Sequence, residues 1–353
     1  MESMNKMACQ IDWLDKPYYS LNAYFKGIYG EKIYKIAVDA GLSCPNRDGS
    51  LDTRGCIFCS AGGSGDFAVD IKDTPYKQLY EHRGGCDKKI SIDAVSEAMN
   101  KRRVLDVKQQ IKRGMARFHK SVGERFVIYF QAYTNTYAEV EYLKQIWTAA
   151  LAEEQVVGIS IATRPDCLGE EILALLKELK EQFMKSGKFI WIELGLQTMH
   201  EETANYIRRH YARSVYESAV CSLCSIGIPY ITHVILGLPG ESEEMMLETV
   251  RYVCALRPFG IKLQLLHVLS GTDMAKDYEE GKFNVMGEEE YIRTVAKCLQ
   301  EIPDDIVIHR VTGDGPKKLL IAPAWSANKK HVLNFLHQYL AKENIRQGDK
   351  AKY

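Results

Sequence analysis

Seven short apolar runs separated by longer amphipathic stretches organise the chain from residue 33 to residue 312. The first, Ile33-Tyr-Lys-Ile-Ala-Val-Asp, alternates apolar and polar positions as a half-buried strand does. The others are more continuously apolar: Arg125-Phe-Val-Ile-Tyr-Phe-Gln-Ala, Val156-Val-Gly-Ile-Ser-Ile-Ala-Thr, Phe189-Ile-Trp-Ile-Glu-Leu-Gly-Leu-Gln, Pro229-Tyr-Ile-Thr-His-Val-Ile-Leu-Gly, Ile261-Lys-Leu-Gln-Leu-Leu-His-Val and Asp305-Ile-Val-Ile-His-Arg-Val. Helical patterning fills the gaps, at Ser91 to Ser121, Glu139 to Glu153, Gly169 to Met184, Glu201 to Arg209, Ser214 to Ile226, Ser242 to Leu256 and Glu288 to Gln300. Apolar strands alternating with amphipathic helices specify an α/β fold with a parallel sheet, in the form of a TIM-like full or partial (β/α) barrel. The chain then divides into an N-terminal extension (1–32), the barrel (33–312, with a basic insertion and helix at 70–120) and a basic C-terminal segment (313–353).

In such barrels the reactive groups lie at the C-terminal ends of the strands. Polar residues fall there in succession: a cysteine-rich loop after the first strand, Gln131 and Tyr133-Thr-Asn-Thr136 after the second, Thr163-Arg-Pro-Asp166 after the third. Glu193 and Gln197 follow on the fourth, His233 and Gly237-Leu-Pro-Gly-Glu241 on the fifth, His267 on the sixth, and His309, Arg310 and Asp314 on the last. One polar strand end is a satisfied loop residue; seven in a row predict a pocket.

The cysteine loop carries the sharpest chemical signal. Cys44, Cys56 and Cys59 stand at C-x11-C-x2-C among the turn residues Pro45, Asn46, Asp48, Gly49 and Gly55, which places them on a wrapped loop. Three thiolates leave a metal site one protein ligand short, the arrangement of a catalytic site and not of a structural clip. Phe58 shields one side, and the run Gly62-Gly-Ser-Gly65 reads either as a close approach to a ligand or as a flexible loop. A second reading stays open: Cys86 or His82 completes a closed four-ligand site, and the protein is a zinc-stabilised nucleic-acid-binding module without redox chemistry. Cys9, Cys167, Cys254 and Cys298 read as packing, and Cys221-Ser-Leu-Cys224 as core thiols of a helix.

Charge refines this only locally. Lys and Arg together number 46 and Asp and Glu 46, so there is no global bias toward a polyanion. The helical stretch with Lys101, Arg102, Arg103, Lys108, Lys112, Arg113, Arg117 and Lys120 is basic, as is the C-terminal end with Lys317, Lys318, Lys329, Lys330 and Arg346. Each reads as a solvated face or as a phosphate-binding one. No apolar run approaches the ~20 residues that span a bilayer, and Met1 to Trp13 lacks a secretory core. These features predict a cytoplasmic protein with no membrane partner.

The three-cysteine loop with its aromatic, together with CPNRDG, FQAYTNTY, TRPDCL, ELGLQT, HVILGLPGE, LLHV and HRVTGD in this order, resembles the radical S-adenosylmethionine (SAM) superfamily, and within it the YhcC/YtqA branch related to the radical half of the Elongator catalytic subunit. The match runs from about Tyr18 to about Leu333. Its cysteine spacing departs from the C-x3-C-x2-C of most of the superfamily, and the segment Val69 to Val107 is longer than the motifs need. The resemblance implies a [4Fe-4S] cluster on Cys44, Cys56 and Cys59, with SAM chelating the fourth iron and yielding a 5′-deoxyadenosyl radical. It implies further that Gln131, Tyr133 and Thr134 contact the methionine amino group, that Gln197 and Arg209 hold the ribose and the methionine carboxylate, and that His233 is a ligand on the fifth strand. His267, His309, Arg310 and Asp314 are expected on the substrate side, and Arg102, Arg103, Lys112, Arg113, Lys317 and Lys318 against RNA. The implied partners are tRNA and a flavodoxin- or ferredoxin-type electron donor. The implied reaction remodels the C5 side chain of a wobble uridine, for example carboxymethylaminomethyl to aminomethyl; a small metabolite is the alternative substrate.

Overall fold

The computed structural model describes residues 13–14, 16–63, 68, 93–118, 123–313 and 315–352. Asp314, His82, Cys86, Cys9, Lys120, Ser64 and Gly65 lie outside the described residues. In chain order the strands are β1 Tyr34–Val38, β2 Phe126–Phe130, β3 Val156–Thr163, β4 Phe189–Gln197, β5 Tyr230–Leu236, β6 Gly260–Leu265, β7 Val268–Leu269, β8 Val307–Arg310 and β9 Leu320–Ala322. Seven of them form one sheet in the order β1-β2-β3-β4-β5-β6-β8, and every neighbouring pair is parallel.

The strand-rich runs become strands because both faces are covered. All five residues of β2 are buried, and so are seven of the eight in β3. Helices α2 Asp93–Phe118, α3 Val140–Leu151, α4 Glu170–Met184, α6 Arg213–Ser225, α7 Glu243–Ala255 and α9 Glu288–Glu301 supply the outer layer. Their apolar stripes, such as Leu143, Ile146, Trp147 and Ala150 on α3, meet the outward residues Ile128, Ile159, Ile161 and Ile192 in one core. Fully burying each such side chain is worth roughly 1.5–3 kcal/mol.

The inner face is curled. Lys35 Nζ on β1 lies 2.9 Å from Glu193 Oε1 on β4. Strands three places apart in a flat sheet are separated by about 14 Å, so the contact requires the sheet to bend into a barrel wall. The edges β1 and β8 do not pair with each other; a single parallel bridge from Ser20 to Ile308 stands in the gap. The expected barrel is therefore the partial form.

An aromatic plug closes its N-terminal end. Helix α1, Leu21–Tyr29, is started by Ser20, whose hydroxyl accepts from Ala23 N, and stopped by Gly30 at φ 73°. It delivers Phe25 onto Trp191, with ring centroids 5.6 Å apart, while Tyr24 meets Phe259 at 4.9 Å. Residues beyond Gly313 pack on the same body: β9 pairs antiparallel with β7, and α10, Lys329–Lys342, lies against α9. The Gln347 amide donates to Pro303 O and Ile306 O and accepts from Tyr19 N, tying both ends of the chain to the strand leading into β8.

Candidate active site

One cavity opens at the C-terminal ends of the strands. Its wall includes Cys44, Cys56 and Cys59, Gln131, Tyr133 and Thr134, Gln197, Arg209, His233, His267 and Arg310. Most of the expected strand-end residues thus converge; Asn135, Thr136, Asp166, the Gly237 to Glu241 run and His309 are not part of the wall, and Asp314 is not among the described residues.

The cysteine loop is folded by its own turns. Arg47 N and Asp48 N return to Cys44 O, and Cys59 N donates to Cys56 O. Gly55 has φ 78°, and a Cβ there would lie 2.8 Å from the Arg47 side chain. This lets Arg47 curl under the loop, where it donates to Cys59 O and Ser60 O at 2.8 and 2.7 Å. Buried Asn46 donates to Cys56 Sγ at 3.4 Å and to Arg208 O at 2.9 Å, tying the loop to the stretch after α5 (Glu201–Tyr206). Burial, reinforced by the neighbouring Cys59 and Cys44, pushes the Cys56 thiol up to about 12. A buried thiol so placed becomes a thiolate ligand only with a cation beside it.

Among the described residues, no three His, Cys, Asp or Glu side chains close round a single ion. Cys44, Cys56 and Cys59 nonetheless line one cavity, and three thiols facing one space are the donor set of a cluster that leaves one iron open.

Above the loop, two non-glycine residues take left-handed backbone. Tyr133 has φ 61° and Gln197 φ 71°. Tyr133 packs its ring over Gly63, where a Cβ would meet the ring at 2.4 Å, and its hydroxyl donates to Ala61 O. At Gly63 the close approach is to the Tyr133 ring. Gln197 folds over Gly195, and its Oε1 is buried with no hydrogen-bond partner. An orphaned acceptor on the wall suits a hydroxyl or ammonium donor such as SAM carries. Gln131, Tyr133, Thr134 and Gln197 would hold that cosubstrate beside the cysteines.

Arg209 departs from its expected role. Its guanidinium is 2% exposed and donates to Tyr211 O, Leu196 O, Thr198 O and Glu201 Oε2. Four of its five donors are thereby spent on protein. It acts as a clamp on the Leu196 to Thr198 turn that carries Gln197, and Glu241 of the GLPGE motif grips the same turn by accepting from the Thr198 hydroxyl. Two other arginines stand near the thiols: Arg47 under the loop, and Arg164, which forms a bidentate pair with Asp166 at 2.9 and 2.6 Å.

The cavity floor is a polar layer that the strand pattern concealed. Glu193 is fully buried. Its Oε1 accepts from Lys35 Nζ at 2.9 Å and from the Ser160 hydroxyl at 2.5 Å. Its Oε2 accepts from His233 Nε2 at 2.7 Å and from Lys262 Nζ. The lysines and the histidine hold the Glu193 carboxyl well below its usual range against the opposing effect of burial. Burial brings His233 down to about 4, so it donates as a neutral imidazole, and brings Lys262 down to about 7. His233 therefore spends one nitrogen on Glu193.

His309 is a correction. Its ring lies against Trp191 and Phe259, with centroids 5.4 and 5.7 Å away, in the aromatic plug. A register shift between β6 and β8 pairs Lys262 with Arg310 and skips His309. Arg310 thus takes the cavity position beside Lys262. His267 stands on the wall with Gly313 and Gly315 against its ring, where Cβ atoms would come within 2.9 and 3.1 Å.

The basic residues separate into two places. Lys317 and Lys318 are exposed and directly follow Gly315 and Pro316, which line the cavity, so they stand at its rim. Helix α2 instead buries Val107, Ile111 and Met115 in the outer core layer. It turns Arg102 and Lys112 to solvent, while Arg103 and Arg113 are half-buried. Cys221 and Cys224 are exposed on α6, contrary to their expected core position, because they fall on its solvent face; Cys254 and Cys298 are buried and Cys167 half-buried.

The chain matches the Radical SAM superfamily over residues 53–253 and the Radical_SAM C-terminal domain over residues 258–342. YtqA of Bacillus subtilis is 40% identical over 95% of this chain and 92% of its own length, and YhcC of Escherichia coli 31% identical over 90% of each. A more distant relative, the tRNA uridine(34) acetyltransferase of Methanocaldococcus jannaschii, is 25% identical over 55% of this chain and 35% of its own. The solved Elp3 from Methanocaldococcus infernus shares the fold, with TM-score 0.57 at 19% identity over 69% of this chain and 60% of that one. No helix among the described residues is long and apolar enough to cross a membrane. The chain belongs to the radical SAM superfamily, in its YhcC/YtqA branch, and its cofactors are a [4Fe-4S] cluster and S-adenosylmethionine.

Proposed function

We propose that this radical SAM enzyme acts in the cytoplasm on the C5 side chain of a tRNA wobble uridine, for example converting carboxymethylaminomethyl to aminomethyl, with SAM consumed as the two-electron oxidant of the N–CH2 carbon and water releasing the two-carbon unit as glyoxylate. The observation that carries this reading is a cavity with the three cysteines and Gln197 near its mouth and a cationic floor beneath, flanked at the rim by Lys317 and Lys318. A distant relative, the tRNA uridine(34) acetyltransferase of Methanocaldococcus jannaschii, supports the same nucleotide.

When bound, the cluster and SAM supply hydrogen-atom abstraction from an unactivated carbon. The chain's own residues do the rest. Cys44, Cys56 and Cys59 anchor the cluster, and Asn46 and Arg47 fix the loop. Gln131, Tyr133, Thr134 and Gln197 orient the cosubstrate, and Arg209 and Glu241 keep Gln197 in its strained position. Gln264, Leu266 and His267 line the path for the side chain of the base. A wobble base has to leave its stack to enter such a pocket, and exposed lysines at the rim suit the flanking phosphates. A flavodoxin- or ferredoxin-type donor supplies electrons.

A small metabolite is the second reading, favoured by the position of α2, whose basic residues are carried on the outer layer. Nucleoside profiles of tRNA from cells with and without the gene separate the two. Loss of aminomethyl-type uridines in the deletion supports tRNA, and identical profiles support the metabolite.

A further inference from the structure

Among the described residues, the floor of the cavity gathers Lys35, Lys262 and Arg310 round one carboxylate, Glu193. Glu193 is satisfied by Lys35, Ser160 and His233 without Lys262: one cation, one hydroxyl and one imidazole N–H. Lys262 is nonetheless placed on the wall, 5% exposed, between Glu193 and the Tyr129 hydroxyl at 3.2 Å. These two contacts occupy two of its three donors. Arg310 sits opposite it in the strand register and lines the same cavity. Among the described residues on this wall, Glu193 is the only carboxylate. Burial lowers Lys262 to about 7, and an anion held beside its third donor would restore the full ammonium charge.

We propose that Lys262, with Arg310 beside it, is the receptor for a carboxylate at the leading end of the substrate, and that Lys35 and Glu193 are the positioning pair behind it. Four residues of β4 separate Glu193 from Gln197, or about 13 Å of strand. The floor is therefore out of reach of the methionine carboxylate, which belongs beside the cysteines. The barrel is closed beneath by Phe25, Trp191 and Phe259, so the group that reaches Lys262 is the far tip of whatever enters. A phosphate of a tRNA backbone cannot lead a base into the pocket; an anion at the floor is a carboxylate on the tip of a side chain. The site thus selects substrates ending in a carboxylate. This inference rests on the tRNA reading for the identity of that side chain and for the choice of a carboxylate over a phosphate.

The test uses the reconstituted full-length enzyme with SAM bound, and measures binding. The probes are 5-carboxymethylaminomethyluridine, its methyl ester and acetate. Wild type should bind the acid at least tenfold more tightly than the ester, and Lys262→Met should bind the two alike with SAM affinity retained. Acetate, at an ionic strength matched with chloride, should raise the melting temperature of wild type and leave Lys262→Met unmoved. If Lys262→Met does not fold, Arg310→Gln replaces it with the same expectation. Acetate stabilisation without binding of either nucleoside upholds the carboxylate site and removes the tRNA reading. Equal binding of acid and ester by wild type overturns the carboxylate site and leaves the tRNA reading standing.

Discussion

Gln197 lies folded over Gly195, so closely that a Cβ at residue 195 would stand 2.8 Å from its Nε2. This explains the GLQ sequence at the end of β4: the glycine leaves room for an amide whose Oε1 is buried and unpartnered. Gly195→Ala meets only the far end of a flexible side chain, so it should cost less than about 1 kcal/mol of stability while displacing the amide. SAM affinity should fall about tenfold, and Gln197→Ala should give the same loss. In a double-mutant cycle by equilibrium dialysis the two should not add; full additivity would show that Gly195 and Gln197 act separately.

Arg209→Lys should mainly destabilise the protein. A lysine cannot reproduce the planar fork that reaches Leu196 O, Thr198 O and Tyr211 O together. Buried hydrogen bonds to a charged group are worth about 1.5–3 kcal/mol each, and partial replacement makes a net loss of about 2–3 kcal/mol reasonable. A urea titration measures it. An unchanged midpoint with weakened SAM binding would return Arg209 to the ligand role its motif implied.

Acid should destabilise the fold through the floor cluster. His233 titrates at about 4 in the folded chain against 6.5 as its ordinary value. Between these the unfolded chain binds the extra proton, so stability falls as pH is lowered from 6.5 to about 4. Glu193, held below its usual range, adds loss of the same sign at still lower pH. Replacing His233 by Gln, which keeps an N–H donor, should flatten the pH dependence of the denaturation midpoint in the upper window only. A slope equal to wild type there would mean that His233 is charged in the folded state.

Much of this architecture was legible in the chain. The seven strands, the loop with Cys44, Cys56 and Cys59, and the strand-end placement of Gln131 and Gln197 all followed from local pattern, because period, turn residues and cysteine spacing are local properties. The floor cluster did not follow. Lys35 and Glu193 are 158 residues apart, and each looked like one polar residue in an apolar strand until the sheet curled. The available signal was that Lys35, Tyr129, Glu193 and Lys262 each interrupt a buried run at an inward position. His309 was misplaced because a one-residue bulge between β6 and β8 is invisible in periodicity. Arg209 was misjudged because the pattern shows a guanidinium but not the carbonyls it has already claimed.

Lys317 and Lys318 should carry more of the RNA affinity than α2. Changing both to Gln should lower the slope of log K against log salt by about 2, the value for two lost phosphate contacts. Arg102→Gln with Lys112→Gln should change it by less than half as much, since those side chains stand on the outer layer. Filter binding of labelled tRNA over a salt series decides it, and a larger effect from α2 would move the RNA path to the outer wall.

The most direct measurement is anaerobic single-turnover of the reconstituted enzyme with tRNA from cells lacking the gene, followed by mass spectrometry of the nucleosides. The account predicts that carboxymethylaminomethyluridine falls and aminomethyluridine rises in step with 5′-deoxyadenosine, and that Cys56→Ala, stripped of its cluster, does neither. An unchanged nucleoside profile alongside 5′-deoxyadenosine formation would contradict it.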